Sequence, residues 1–148
     1  EIVLRNPRHL VIRTSLNGGI SAACRAFNEQ LRRALQTGQG MKLFTDEFRC
    51  PIPAVETARA VWELVNQNRA GLYHVAGAEK LSRWQIGELL IRHWPEVTAK
   101  IEAGLAKDFP GPERALDTSL DISKVQKVLS RPLPKFSEWL AKNQGESI

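Results

Sequence analysis

The sequence predicts an α/β fold of few, short, parallel strands and several helices, with a sheet left incomplete by these 148 residues. Three observations predict it. Short apolar runs at His9–Arg13, Lys42–Thr45 and Gly71–Ala76 read as strands, and the first has the pattern of a strand buried on both faces. Segments with apolar residues at three- and four-residue steps separate them, the alternation that builds parallel sheets. Three strands among so many helices would leave sheet edges and faces uncovered, so the strands are expected to extend a larger sheet.

Each element has a local reason. After His9–Arg13 comes the polar loop Thr14-Ser15-Leu16-Asn17-Gly18-Gly19. A helix is predicted from Ile20 to Thr37, with Ile20, Cys24, Phe27, Leu31 and Leu35 on one stripe and Gly38 and Gly40 as its stop. Asp46–Pro53 is a two-proline loop. Pro53 suits the start of a helix carrying Val55, Ala58, Val61, Trp62 and Val65 toward a core. Ser82 and Gln85 form a Ser-x-x-Gln capping box for a helix through about His93, with Ile86, Leu89 and Leu90 inward and Pro95 as its end. A further helix is expected at Val97–Leu105, then a loop at Phe109–Arg114. Asp121 caps a short helix with Ile122, Val125 and Leu129 inward, and Pro132 and Pro134 precede a last helix, Phe136–Lys142.

Composition narrows the function class. A hydrophobic share of 43% and a charged share of 25% are those of a globular domain. No apolar run reaches the ~20 residues of a membrane span and no signal segment opens the chain, so a cytoplasmic protein with no membrane partner is expected. The net charge of +5 is scattered without an arginine-rich or aromatic-interleaved motif, which argues against nucleic acid and suits a phosphorylated ligand. Cys24 and Cys50 are expected to be free thiols, and no metal-ligand spacing surrounds them.

Four stretches then align with a known family. Val11-Ile12-Arg13-Thr14-Ser15, Asp46-Glu47-Phe48-Arg49-Cys50-Pro51, Gly71–Gly77 followed by Ser82-Arg83-Trp84, and Arg114 followed by Ser119–Lys124 occur in order. They resemble the extended short-chain dehydrogenase/reductase family, the NAD-dependent epimerase/dehydratase superfamily, closest to its dTDP-4-dehydrorhamnose reductase branch. The resemblance implies that residues 1–148 are the carboxyl-terminal, substrate-binding portion of a Rossmann-type enzyme. The amino-terminal dinucleotide-binding portion would then lie outside this sequence. It also implies an NAD- or NADP-dependent reductase or epimerase of a nucleotide-linked sugar, with a homodimer among the expected assemblies. A non-catalytic regulatory subunit, like the β subunit of methionine adenosyltransferase, is the alternative. The sequence holds neither the glycine-rich dinucleotide fingerprint nor the Tyr-x-x-x-Lys pair, because its only tyrosine, Tyr73, is followed four residues on by Gly77. No catalytic residue is therefore assigned.

The resemblance places Thr14 and Ser15 beside the nicotinamide, at the carboxyl end of a strand where open α/β sheets bind ligands. Asn17 is the candidate for a sugar hydroxyl. Arg49 and Arg114, both in expected loops, are the candidates for the diphosphate, since a guanidinium offers paired donors matched to phosphate oxygens; the alternative is solvated surface charge or an ion pair with Asp46 or Glu47. Arg49 stands where the family has glycine, Ile52 where it has threonine, and Ala115 where it has proline. His74 and Phe27 are read as packing residues.

Overall fold

The computed structural model describes residues 2–94, 96, 100–144 and 148. A 3-10 turn at Val3–Arg5 leads into β1 (Leu10–Thr14) and β2 (Asn17–Gly18), followed by α1 (Phe27–Gln36) and β3 (Met41–Phe44). Next come β4 (Phe48–Arg49), β5 (Ile52–Pro53), α2 (Ala54–Asn66), β6 (Gly71–Val75), β7 (Leu81–Ser82) and α3 (Arg83–His93). The chain closes with β8 (Ile101–Gly104), a 3-10 turn at Ala106–Asp108, α4 (Ser123–Gln126) and α5 (Phe136–Lys142).

The strands form four pairs. β1 runs parallel to β6 with Leu10 opposite Gly71 and Thr14 opposite Val75. β3 runs parallel to β8 with Met41 opposite Ile101. The two-residue pairs are β2 with β5, parallel, and β4 with β7, antiparallel. Two apolar clusters fill the interior. One joins α1, β3, α3 and α5 through Leu31, Leu35, Leu43, Ile86, Leu90, Phe136 and Leu140. The other packs α2 and α4 on the β1–β6 pair through Ile52, Ala60, Leu64, Tyr73, Val75 and Val125. The Asp46–Pro53 segment runs between the two, because β4 is tied to β7 on one side and β5 to β2 on the other.

The three strands expected from the sequence appear within a residue of their predicted bounds, and α5 appears at Phe136–Lys142. The capping box forms as read. Ser82 Oγ accepts from the Gln85 backbone N–H at 3.2 Å, and Gln85 Oε1 accepts from the Ser82 N–H at 2.8 Å. Cys24 and Cys50 are both free.

Three expectations need correction. Residues 101–104 are a strand, not the end of a helix, because the ladder with β3 satisfies backbone groups that the helix-favouring Glu102 and Ala103 could not hold alone. Residues 97–99 of that expected helix, and Pro95, lie outside the described residues. The first helix begins at Phe27 rather than Ile20. The preceding turn has Cys24 at φ 50°, and the Glu29 carboxylate accepts from the Ser21 and Ala26 N–H groups, giving the helix its start. Helix α2 buries Ala60 and Leu64 while Val55, Trp62 and Val65 are exposed, which reverses the stripe expected to face inward.

Candidate functional site

The loop after β1 is built as a polar shelf. Asn17 Nδ2 donates to Thr14 Oγ1 and to the Ser15 carbonyl, each at 3.2 Å, while its Oδ1 accepts from Thr57 Oγ1 at 2.6 Å. Ser15 Oγ accepts from the Cys50 N–H at 3.1 Å, joining this loop to the Asp46–Pro53 segment. Thr14 and Ser15 line a cleft of about 440 Å³, with Arg13 and Leu16 beside them and Arg49, Thr118 and Leu120 across it. The cleft thus brings together three of the sequence-predicted residues, Thr14, Ser15 and Arg49. Asn17 does not line it; both amide hydrogens are used in holding Thr14 and Ser15.

Arg49 belongs to a cluster around Glu47, which is 1% exposed. Glu47 Oε1 meets Arg49 Nη2 at 2.6 Å and Arg83 Nε at 3.2 Å, and its Oε2 lies 4.0 Å from Arg114 Nη1. The backbone reinforces this, with the Arg83 N–H donating to the Glu47 carbonyl at 2.9 Å. A buried carboxylate without partners would be expensive, but three guanidiniums exceed what one carboxylate neutralises. Burial pushes Arg83 below the usual guanidinium range; Glu47 opposes the shift, and the Arg49 and Arg114 cations add to it. Arg83 Nη1 is buried with no hydrogen-bond partner among the described residues.

Arg114 carries the cluster toward an aromatic end. Its guanidinium lies 4.6 Å from the Phe109 ring centre and 5.8 Å from that of Phe44, and the two rings meet edge to face at 5.8 Å. Phe44 and Phe109 line a second cleft of about 340 Å³ with Gly40–Lys42, Leu105, Asp108 and Pro110. From Thr14 the site runs through Arg49, Glu47 and Arg114 to Phe44. At the far side of Phe48, Lys80 pairs with Asp117 at 2.5 Å, and with the Ser119 bonds this holds Asp117 well below the usual carboxylate range.

The sequence names Glu47 only as an ion-pair partner for the two arginines, a pairing present here, and it does not single out Arg83, Phe44 or Phe109. The available signal for Arg83 was its place next to the capping Ser82, where a first-turn side chain points back past the helix start. His74 donates or accepts through Nδ1 at the Asp121 carbonyl, 3.0 Å away, and its buried Nε2 has no hydrogen-bond partner among the described residues. Phe27 is half-buried against the first cluster, with the Arg83 guanidinium 4.6 Å over its ring. A further groove, about 760 Å³ along Arg131–Lys135 and Trp139, shares no lining residue with either cleft. Among the described residues no group of side chains could hold a metal ion, and no helix is long and apolar enough to cross a membrane.

A family profile described as the RmlD substrate binding domain matches residues 1–146. A Haloferax volcanii protein named as a probable low-salt glycan biosynthesis reductase is 26% identical over 140 residues, covering 92% of this chain and 47% of its own length. The crystal structure of a hypothetical dTDP-4-dehydrorhamnose reductase from Sulfolobus tokodaii matches with TM-score 0.73 and 26% identity, over 87% of this chain and 45% of that one. A dTDP-4-dehydrorhamnose reductase from Clostridium acetobutylicum matches with TM-score 0.80 at 19% identity, over 93% of this chain and 48% of that one, a likeness of fold. So does one from Bacillus anthracis, solved in complex with NADP, with TM-score 0.79 at 14% identity, over 90% of this chain and 47% of that one. The chain spans about half the length of these relatives.

Proposed function

The chain belongs to the RmlD substrate-binding domain family, and from that premise we propose that it is the substrate-side portion of an NAD- or NADP-dependent reductase acting on a nucleotide-linked sugar. The observation that carries this reading is the three-arginine cluster on the buried Glu47, of which Arg49 lines the Thr14–Ser15 cleft and Arg114 lies against Phe44 and Phe109, two rings that line the second cleft. Surplus guanidinium charge at partial burial is what a diphosphate needs, through charge-assisted bonds to its oxygens. An aromatic surface beside it suits a nucleobase, and a hydroxyl-lined cleft on the other side suits a sugar.

In this reading Arg49 and Arg114 grip the diphosphate and Phe44 and Phe109 pack the base. The Thr14 oxygen accepts from Asn17, so its own proton can be donated into the cleft toward the sugar or the nicotinamide carboxamide. Asn17 acts by fixing Thr14 and Ser15 rather than by touching the sugar. The nicotinamide cofactor supplies or takes the hydride. Its main binding surface and the Tyr-x-x-x-Lys pair that moves the proton are proposed to come from a dinucleotide-binding portion outside this sequence.

Calorimetric titration with thymidine diphosphate tests the reading. Arg114→Ala should weaken binding by at least about tenfold, the scale of one charge-assisted hydrogen bond, without lowering the melting temperature of an exposed-residue variant. Equal affinity in wild type and Arg114→Ala would remove the diphosphate from this cluster.

A further inference from the structure

We infer that Glu47 is a specificity-determining residue that holds the surplus charge of the arginine cluster at two, which narrows the advantage of more highly charged free nucleotides over a sugar-linked diphosphate. This inference rests on the diphosphate reading above and goes beyond it, since a cluster of arginines alone would favour whichever anion carries most charge.

The geometry supplies the count. Arg49, Arg83 and Arg114 are the cations within 4.0 Å of the Glu47 carboxylate, so three positive charges less one negative leave two. Neither Asp46 nor Asp117 forms an ion pair with these arginines. Asp46 Oδ1 accepts from the Ala106 N–H at 2.9 Å, and Asp117 is paired with Lys80. A structural ion pair would need one arginine for this carboxylate. The cluster thus holds two guanidinium charges beyond what the carboxylate neutralises, and Arg83 Nη1 is buried with no partner among the described residues.

A nucleotide sugar carries one charge on each of its two phosphates. A free nucleoside diphosphate gains a third above the second phosphate pKa of about 6. At partial burial the interaction between unit charges a few ångströms apart is several times its value in water. Glu47 therefore leaves a net charge that matches the first ligand, and it repels the third charge of the second in addition to the two that both ligands carry. Because the carboxylate is buried beneath the guanidiniums, the ligand cannot displace it, and the repulsion is built into every binding event.

The test is Glu47→Gln, which keeps the shape and one acceptor oxygen while removing the charge. Dissociation constants for thymidine diphosphate and for thymidine diphosphoglucose are measured by calorimetry at about pH 8 in both proteins. The ratio of the two constants should move about tenfold toward thymidine diphosphate in the variant. A ratio unchanged within about twofold, even with both affinities lower, makes Glu47 a structural residue and overturns the inference while leaving the diphosphate reading intact. No binding of either nucleotide by wild type and variant overturns both. Should Glu47→Gln unfold on its own, its melt is followed with each nucleotide. Stronger recovery with thymidine diphosphate than with the nucleotide sugar supports the inference, and equal or absent recovery overturns it.

Discussion

Replacing Gly77 by alanine would put a methyl carbon 1.9 Å from the Pro51 carbonyl oxygen and 2.9 Å from its carbon. Those are backbone atoms, and they have little room to retreat. The Gly77 N–H donates to the Cys50 carbonyl at 3.2 Å, the Cys50 N–H to Ser15 Oγ at 3.1 Å, and the Ile52 N–H to the Leu16 carbonyl at 2.9 Å. Relief of the clash must stretch this ladder. Overpacking costs about 1–3 kcal/mol and each hydrogen bond lost adds about 1 kcal/mol, so Gly77→Ala should cost about 3 kcal/mol. At roughly 2–4 °C per kcal/mol for a chain of this size, the melting temperature should fall by about 6–12 °C. Gly38→Ala is the control. Gly38 has φ +72° and nothing within 4 Å of an added Cβ, so only left-handed strain of about 1 kcal/mol applies. Thermal unfolding followed by circular dichroism reads both. If Gly77→Ala melts within about 2 °C of wild type, or no lower than Gly38→Ala, the packing of β6 against the Asp46–Pro53 segment is not as described.

The two faces of α2 offer a second comparison. Leu64→Ala empties a fully buried position and should cost about 3 kcal/mol, whereas Trp62→Ser at 66% exposure should change stability by less than about 0.5 kcal/mol; urea unfolding giving the reverse order would restore the stripe read from the sequence. Acid should weaken the fold. The folded pKa of Glu29 is lowered by its bond from the Ser21 hydroxyl, that of Asp117 by Lys80, and that of Asp121 by the Ser123 N–H. Depressed carboxylate pKa values give stability that is present above the ordinary values of 4.5 and 3.8 and is lost as pH falls through the folded ones. Melting temperatures should therefore decline from about pH 5 to about pH 3, and the Asp117–Lys80 part should shrink at high salt because both groups are solvated. A flat profile would contradict it.

How much of the fold the sequence exposed depended on whether a local signal had a competitor. Ser82 and Gln85 name both partners of a capping box, and no other segment contests them. The three strands were legible because each is a short apolar run between turn residues. Helix α2 was not, since it is apolar on two stripes. Nothing in Val55, Ala58, Trp62 and Val65 says that Ala60 and Leu64 will win. Ala60, fully buried, presents no bulk to the strands beneath it, and Trp62 would have held the helix away. Residues 101–104 failed for a different reason. Ile-Glu-Ala-Gly has no strand pattern of its own, and only the parallel register with Met41–Phe44 decides its conformation.

The site divides along the same line. Arg49 and Arg114 could be nominated one at a time, because a loop arginine is a local observation. Glu47 could not. Its side chain matters through Arg83, 36 residues downstream, and Arg114, 67 downstream by sequence number, and neither spacing is periodic in any element. Burial is what converts an ordinary acidic loop residue into the centre of the cluster, and burial here comes from β4 pairing with β7 so that α3 starts directly over Glu47. That pairing also accommodates Arg49, at the position where the resemblance leads one to expect glycine. A guanidinium at this position meets the carboxylate at 2.6 Å and the Phe48 carbonyl at 2.6 Å instead of facing Arg83 unscreened. Arg49 and the buried carboxylate are thus parts of one arrangement. An Arg49→Gly change should consequently lower the surplus charge of the cluster while leaving Glu47 held by Arg83.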